Sequence, residues 1–104
     1  MEKFYTRVLN AKKEQEAIEV VGYIVVTDKN RFGFYKNQRR NFDIIDLGTG
    51  LSINYLRYFR LRDLKEDLNL FEEKLEGAKE KNATWYNEQV EIFNKLKEKV
   101  CKNV

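Results

Sequence analysis

Basic and aromatic residues alternate along residues 29–42, and these residue types can bind oxyanions and flat rings. The basic members are Lys29, Arg31, Lys36, Arg39 and Arg40, and the interleaved rings are Phe32, Phe34, Tyr35 and Phe42. Arginine forks match phosphate and carboxylate oxygens, and aromatic faces stack on bases. The pattern predicts a contact surface for a phosphate backbone or for an acidic protein. The alternative is that the cations are solvated turn residues and the rings face the core.

A second arginine-rich stretch, YLRYFRLR, covers residues 55–62. Arginine and aromatic residues are enriched at the energetic centres of protein interfaces. The alternative is that this stretch ends a sheet and enters a helix, with Tyr55 or Phe59 in the core and the arginines paired with acids of that helix. Together the two stretches supply the candidate partner-binding residues, which are Arg31, Tyr35, Lys36, Arg39, Arg40, Arg57 and Arg60.

The chain lacks the side chains that most enzymes use for proton transfer and metal binding. It has no histidine and a single cysteine, Cys101, which excludes Ser-His-Asp triads, Cys-His pairs and the common zinc sites. The 17 Asp and Glu residues show no spacing that favours a glycosidase pair or a Mg²⁺ site. Gly48-Thr49-Gly50 lacks the pattern of a phosphate-binding loop, and we expect a hairpin turn there. We therefore expect no catalytic residue, no cofactor and no metal.

The elements that position these residues change in character near residue 60. Before it, β-branched and aromatic residues predict strands at residues 4–9, 18–27, 32–36, 42–47 and 51–54. Gly22 lies inside the longest strand, where it indicates a bend or a bulge. A polar turn or a short helix separates the first two strands, and short turns separate the others. This arrangement predicts an antiparallel meander of four or five strands.

After residue 60 the apolar residues recur at intervals of three and four, which is the period of an amphipathic helix. One stripe predicts a helix over about residues 60–80. A second stripe predicts another helix after a short link in which Asn82 or Thr84 caps the N-terminus. The two helices form a hairpin that covers one face of the sheet. The expected core includes Ile24, Val26, Ile44, Leu64, Leu68, Phe71, Leu75, Val90, Phe93 and Leu96.

Length and charge predict one α+β domain with two layers. The 104 residues divide into a sheet layer of about residues 1–59 and a helical hairpin of about residues 60–104. Residues 1–62 carry a net charge of +5 and residues 63–104 a net charge of −2. No apolar run is long enough for a membrane span, and no secretory signal is recognisable. We therefore expect a cytosolic protein without membrane association.

The segment FGFYKNQRRNFDIIDLGTGLSI, residues 32–53, contains a strand, a polar turn, a second strand and a D-L-x-T-G-L element at residues 46–51. With the Asn-, Lys-, Ile-, Phe- and Tyr-rich composition, it resembles short accessory proteins encoded by bacteriophages of low-GC bacteria. Many small phage proteins without enzymatic residues block host defence by binding a nuclease or by sequestering a signal molecule. The resemblance implies a host protein as partner, such as a nuclease or a CRISPR effector, met in the cytosol of the host cell.

Size, missing catalytic groups and the resemblance favour a non-enzymatic protein-binding module. It would be an anti-CRISPR-like inhibitor of a host defence system that occludes a functional surface of its target. The alternative is a small nucleic-acid-binding accessory protein that uses the basic hairpin tips. Leu70, Trp85 and Ile92 widen the apolar stripes, so a homodimer through the helices or through an open sheet edge is an alternative to a monomer. Trp85 can instead pack under the sheet.

Overall fold

Four strands and then three helices follow one another along the chain, in a computed structural model that describes residues 1–53 and 57–102. The strands are β1 (Glu2–Leu9), β2 (Gln15–Val26), β3 (Arg31–Lys36) and β4 (Phe42–Asp46). The helices are α1 (Leu61–Glu66), α2 (Leu68–Lys81) and α3 (Ala83–Lys102). The predicted fold class is confirmed: an antiparallel meander is followed by helices, of which α2 and α3 form a hairpin on the sheet.

The strand β2 is twice as long as β3, and its two halves pair with different neighbours. The first half pairs with all of β1, from Glu2 opposite Gly22 to Leu9 opposite Gln15. Only the last four residues, Tyr23–Val26, pair with β3. The strand β3 pairs with no residue of β2 that precedes Tyr23. The first eight residues of β2 and the β3–β4 hairpin therefore diverge.

Asn10 and Asn37 begin two turns of the same geometry. Each Asn side-chain oxygen accepts hydrogen bonds from the backbone N–H groups two and four residues later, at 2.9 and 3.0 Å for Asn10 and 2.9 and 3.2 Å for Asn37. The fourth residue of each turn has a positive φ, 61° at Lys13 and 65° at Arg40. A side chain with a Cβ is strained in that left-handed region. The asparagine caps hold both turns in this conformation.

The main core lies between the sheet and the helices. Phe32 and Phe34 of β3 are fully buried there, together with Phe71 of α2. The ring of Phe71 packs edge-on against Phe34 at 6.3 Å and against Tyr58 at 5.4 Å between ring centroids. The remaining buried members of this cluster are Phe42, Ile44, Leu64 and Leu75.

The sheet curls so that β1 reaches the loop that follows β4. The backbone N–H of Arg7 donates to the carbonyl of Gly50 at 3.0 Å, and the Thr6 hydroxyl donates to the same oxygen at 3.2 Å. On the face opposite the helices, the Phe4 ring lies against Gly33, where an added Cβ would be 2.5 Å from the ring. Glycine is therefore required at residue 33 for this close approach.

Two predictions about the helices need correction. The expected helix over about residues 60–80 is two helices, because Asp67 leaves helical geometry at φ −95° and ψ 10° and its carboxylate accepts a hydrogen bond from the Tyr58 hydroxyl at 2.8 Å. Of the two rings of residues 55–62 that were alternatives for the core, Phe59 is 58% exposed and Tyr55 lies outside the described residues, while Tyr58 is buried. The prediction of an Asn82 cap is confirmed, since its side-chain oxygen accepts from the Trp85 N–H at 2.9 Å.

Two predictions about strands also need correction. The expected strand at residues 51–54 is a single bridge between Ile45 and Ser52 in the described part. Val26 was expected in the core but is 64% exposed, because it alternates with the core-facing Val25 and points to the uncovered face. Asn54, Tyr55 and the Cys101 side chain lie outside the described residues. No helix in the described chain has the length and apolar character to cross a membrane.

Replacing Phe71 with alanine should lower the free energy of unfolding by about 3 to 5 kcal/mol, because it empties the centre of the core. The matched control is Leu70→Ala, one residue earlier on α2, where the side chain is 38% exposed. That control should cost less than about 1 kcal/mol. Urea unfolding followed by circular dichroism measures both. Equal losses would show that α2 does not present Phe71 to the sheet.

Replacing Arg40 with glycine should stabilise the protein by about 0.5 to 1 kcal/mol, because glycine adopts positive φ without steric strain. Lys13→Gly should give a similar gain, since its turn has the same geometry. Arg39→Gly is the control and should give no gain, because Arg39 does not have a positive φ. Thermal unfolding measures all three. A loss of stability in both Arg40→Gly and Lys13→Gly would contradict the strain assigned to these turns.

Candidate partner-binding groove

An open groove of about 830 Å³ lies where β2 and the β3–β4 hairpin diverge. We call it the β2–β3 groove. One wall is aliphatic and comes from β2, with Ile18, Val20 and Val21. The other wall is polar and comes from the hairpin and from the segment that follows the sheet; it comprises Tyr35, Lys36, Asn37, Gln38, Arg39, Asn41, Asp43 and Arg57.

The polar wall carries three cations and one carboxylate. The cations are Lys36, Arg39 and Arg57, and all three side chains are exposed. The carboxylate of Asp43 already accepts hydrogen bonds from the Tyr35 hydroxyl and from the Asn37 side-chain amide, the latter at 3.1 Å. Among the described residues, no carboxylate forms an ion pair with Arg39 or Arg57. The groove is therefore a positively charged site, and its guanidinium groups can form ion pairs with acidic groups of another molecule.

Tyr35 links the polar wall of the groove to β1. Its ring packs edge-on against Phe4 of β1, with 6.2 Å between ring centroids. Burial raises the pKa of the Tyr35 phenol to about 12, and the charge of Asp43 and the hydrogen bond to it act in the same direction. The phenol is therefore a neutral hydrogen-bond donor at physiological pH, and it holds the Asp43 carboxylate in place.

The groove brings together four of the seven residues that the sequence singled out, namely Tyr35, Lys36, Arg39 and Arg57. Arg40 is in the same turn but does not line the groove. Arg31 is at the other end of β3, about 17 Å away along the strand, beside a separate polar pocket that Lys29 and Lys79 also line. Arg60 is exposed at the start of α1, where its carbonyl accepts from the Asp63 N–H at 3.2 Å.

Three of the four aromatic rings in the basic cluster are unavailable for stacking. Phe32 and Phe34 are fully buried, and Phe42 is 7% exposed, so all three face the core. The sequence left two alternatives for Trp85, packing under the sheet or exposure, and its side chain is 41% exposed. It lines a small apolar pocket beside α2 and does not line the groove. Only Tyr35 among the clustered rings lines the groove.

The aliphatic wall is the part of the site that sequence reasoning missed. Ile18 and Val20 belong to a β-branched run that is typical of a strand covered on both sides. Their exposure in the groove depends on the divergence of β2 from β3, which is a tertiary effect. The difference in length between β2 and β3 is a signal of this exposure, because a strand of 12 residues cannot pair along its whole length with a strand of 6.

The buried carboxylate of Asp46 is a second polar centre in the described structure. It accepts hydrogen bonds from the Tyr86 hydroxyl at 2.9 Å, from the Thr49 hydroxyl at 2.9 Å and from the Gly48 N–H at 3.1 Å. Burial and the Asp46 charge raise the pKa of Tyr86. With three donors the carboxylate is satisfied, so this is a structural network. Within residues 1–53 and 57–102, no three acidic or cysteine side chains are grouped as metal ligands would be.

Comparison of the chain with protein-family models, with curated proteins and with solved structures finds no match. The function is therefore inferred from the groove itself. Its chemistry is a positively charged wall opposite an aliphatic one.

In an ultraviolet titration of tyrosinate, Tyr35→Phe should remove a phenol that ionises near pH 12. The folded protein holds this proton more tightly than the unfolded chain, whose tyrosines titrate near pH 10. The contribution of Tyr35 to stability is therefore intact below pH 10 and is lost as the pH rises towards 12. Tyr23→Phe, at an exposed position of β2, is the control and should leave the late transition unchanged. A late transition that survives in Tyr35→Phe at full amplitude would contradict the assignment.

Proposed function

We propose that this protein is a non-enzymatic binding module that engages a partner protein through the β2–β3 groove and occludes a functional surface of that partner. The observation that carries the proposal is the pairing of Arg39 and Arg57, which lack intramolecular ion pairs in the described chain, with an aliphatic wall of Ile18 and Val20. Arginine beside buried apolar surface is typical of the energetic centres of protein interfaces.

A protein partner fits the groove better than a nucleic acid. A phosphate backbone requires cations spread along its path, and single-stranded bases require exposed rings. The carboxylate of Asp43 lies inside the groove, and three of the neighbouring rings are buried. The net charge of +3 also gives a weak overall field. Acidic and apolar side chains together, as a protein offers them, complement both walls.

The finer proposal is that the partner belongs to a host defence system, such as a nuclease or a CRISPR effector, and that the protein acts in the host cytosol. The resemblance of residues 32–53 to phage accessory proteins supports it. Occlusion also suits a small chain. A standard interface covers about 800 Å² on each partner, which is about a tenth of the 7401 Å² surface of this protein. Binding alone can then block a site without any catalytic residue.

Nucleic-acid binding is the second candidate, because cations occur at both ends of β3. Lys29 and Arg31 are at one end, and Lys36, Arg39 and Arg40 are at the other. A strand of this length holds the two groups about 17 Å apart. A phosphate backbone that runs along the hairpin would contact both groups, whereas a protein in the groove contacts only the second.

The double variant Arg39→Ala/Arg57→Ala should lose the partner. Each arginine is a candidate energetic centre, and loss of one such residue costs about 2 kcal/mol or more, so affinity should fall at least about 30-fold. The measurement is capture from the lysate of a low-GC bacterial host with tagged protein, followed by quantitative mass spectrometry and titration of the captured partner. The matched control, Arg31→Ala/Arg60→Ala, removes the same charge outside the groove and should stay within about threefold of the wild type.

Two outcomes would contradict the proposed function. Equal losses in the two double variants would assign the effect to net charge. Steeply salt-dependent binding of random-sequence DNA or RNA, at micromolar affinity or tighter, would favour the nucleic-acid alternative. Fluorescence anisotropy at low and physiological salt measures this second outcome.

A further inference from the structure

Backbone hydrogen bonds fix the direction in which each residue of β2 points its N–H and C=O groups. The Thr27 N–H donates to the Asn30 carbonyl at 2.9 Å, in register with Tyr23 opposite Phe34. The Asn10 N–H donates to the Glu14 carbonyl at 2.9 Å, in register with the β1–β2 pairs. Because these directions alternate along a strand, even-numbered residues of β2 point to β1 and odd-numbered ones point to the β3 side.

The odd-numbered residues of β2 that precede Tyr23, where the pairing with β3 begins, therefore point their main-chain groups towards the side of the β2–β3 groove. Of these, Glu19 and Val21 are exposed, whereas Ala17 is only 4% exposed and does not present an open edge. Among the described residues, no strand pairs with β2 on this side between residues 15 and 22. On the opposite wall, β3 points its odd-numbered residues to β4, since the Leu47 N–H donates to the Arg31 carbonyl at 3.0 Å. The main chain of Lys36 therefore points across the groove towards β2.

We infer that this edge of β2 receives an extended, acidic segment of the partner protein as an added strand. The inference rests on the proposed function and specifies its contact. An unpaired strand edge is a template for another strand, in which main-chain hydrogen bonds give affinity and alternate side chains give specificity. An added strand at Glu19–Val21 would lie beside Ile18 and Val20, and opposite Arg39 and Arg57. Alternating apolar and acidic side chains complement these surroundings.

A second copy of this chain is a poorer occupant of the same edge. Antiparallel pairing of β2 with its own copy around residue 19 would set Glu19 opposite Glu19, and like charges directly opposite are destabilising. It would also leave the cationic wall without an acid. An alternating segment from a different protein avoids the first conflict when it places an apolar residue opposite Glu19, whose carboxylate pairs with Lys3 of β1 at 3.5 Å.

The test uses the full-length protein and a synthetic eight-residue peptide of alternating valine and glutamate. Amide hydrogen exchange is followed by NMR, with and without saturating peptide. Exchange at Glu19 and Val21 should slow at least tenfold, while Ile18 and Val20, whose amides point to β1, should change little. The same peptide with alternate backbone nitrogens methylated, and a valine-lysine peptide, are controls that should bind at least tenfold more weakly.

Several outcomes would overturn the strand-addition inference. They are no binding of the valine-glutamate peptide, binding that leaves the Glu19 and Val21 amides exchanging as in the free protein, and equal binding of the lysine peptide. Slow exchange of these amides in a peptide-free dimer, seen by light scattering, would assign the edge to a second copy. If capture of the partner still depends on Arg39 and Arg57 in any of these cases, the proposed function stands without strand addition. If that dependence also fails, the proposed function fails with it.

Discussion

The buried carboxylate of Asp46 determines how the sheet and the helices meet. A buried charge is stable only when donors surround it, and here they come from the loop itself and from Tyr86 of α3. These bonds fix the loop so that Gly50, at φ 72°, presents its carbonyl to Thr6 and Arg7 of β1. The ring of Phe93 fills the space that a Cβ at Gly50 would occupy. One carboxylate thus couples β4, α3 and β1.

The groove follows from this coupling. Because β1 is bonded to Gly50 and pairs along eight residues with β2, the first half of β2 is held with β1 and cannot follow β3. The two strands pass closest at Gly22, where an added Cβ would be 2.1 Å from the Phe34 carbonyl oxygen. Beyond that point they separate. The groove is therefore a consequence of how the sheet closes.

Local patterns predict the fold well and the site only in part. The spacing of Leu64, Phe71 and Leu75 places them on one buried face, because a helix of fixed period leaves no other choice. The prediction that Val26 lies in the core was wrong. An apolar strand residue can face either side of a sheet, and only the tertiary packing decides which side is covered. The basic cluster was treated as one surface, whereas successive turns of a meander lie at opposite ends of a strand and separate Arg31 from Arg39. The contact of Arg57 with the groove is long-range, and no local signal specifies it.

The groove edge of β2 contrasts with several well-satisfied features of the described chain. Both asparagine turns are capped, the buried acid has its donors, and the large core side chains are packed. The groove edge instead combines outward-pointing main chain with a Val21 that is 50% exposed. Such an edge invites unwanted pairing, and charged neighbours such as Glu19 and Arg39 limit it. When local and global preferences agree elsewhere, a retained conflict is typical of a functional surface. An incoming strand, as inferred above, would pair with this same edge and cover it.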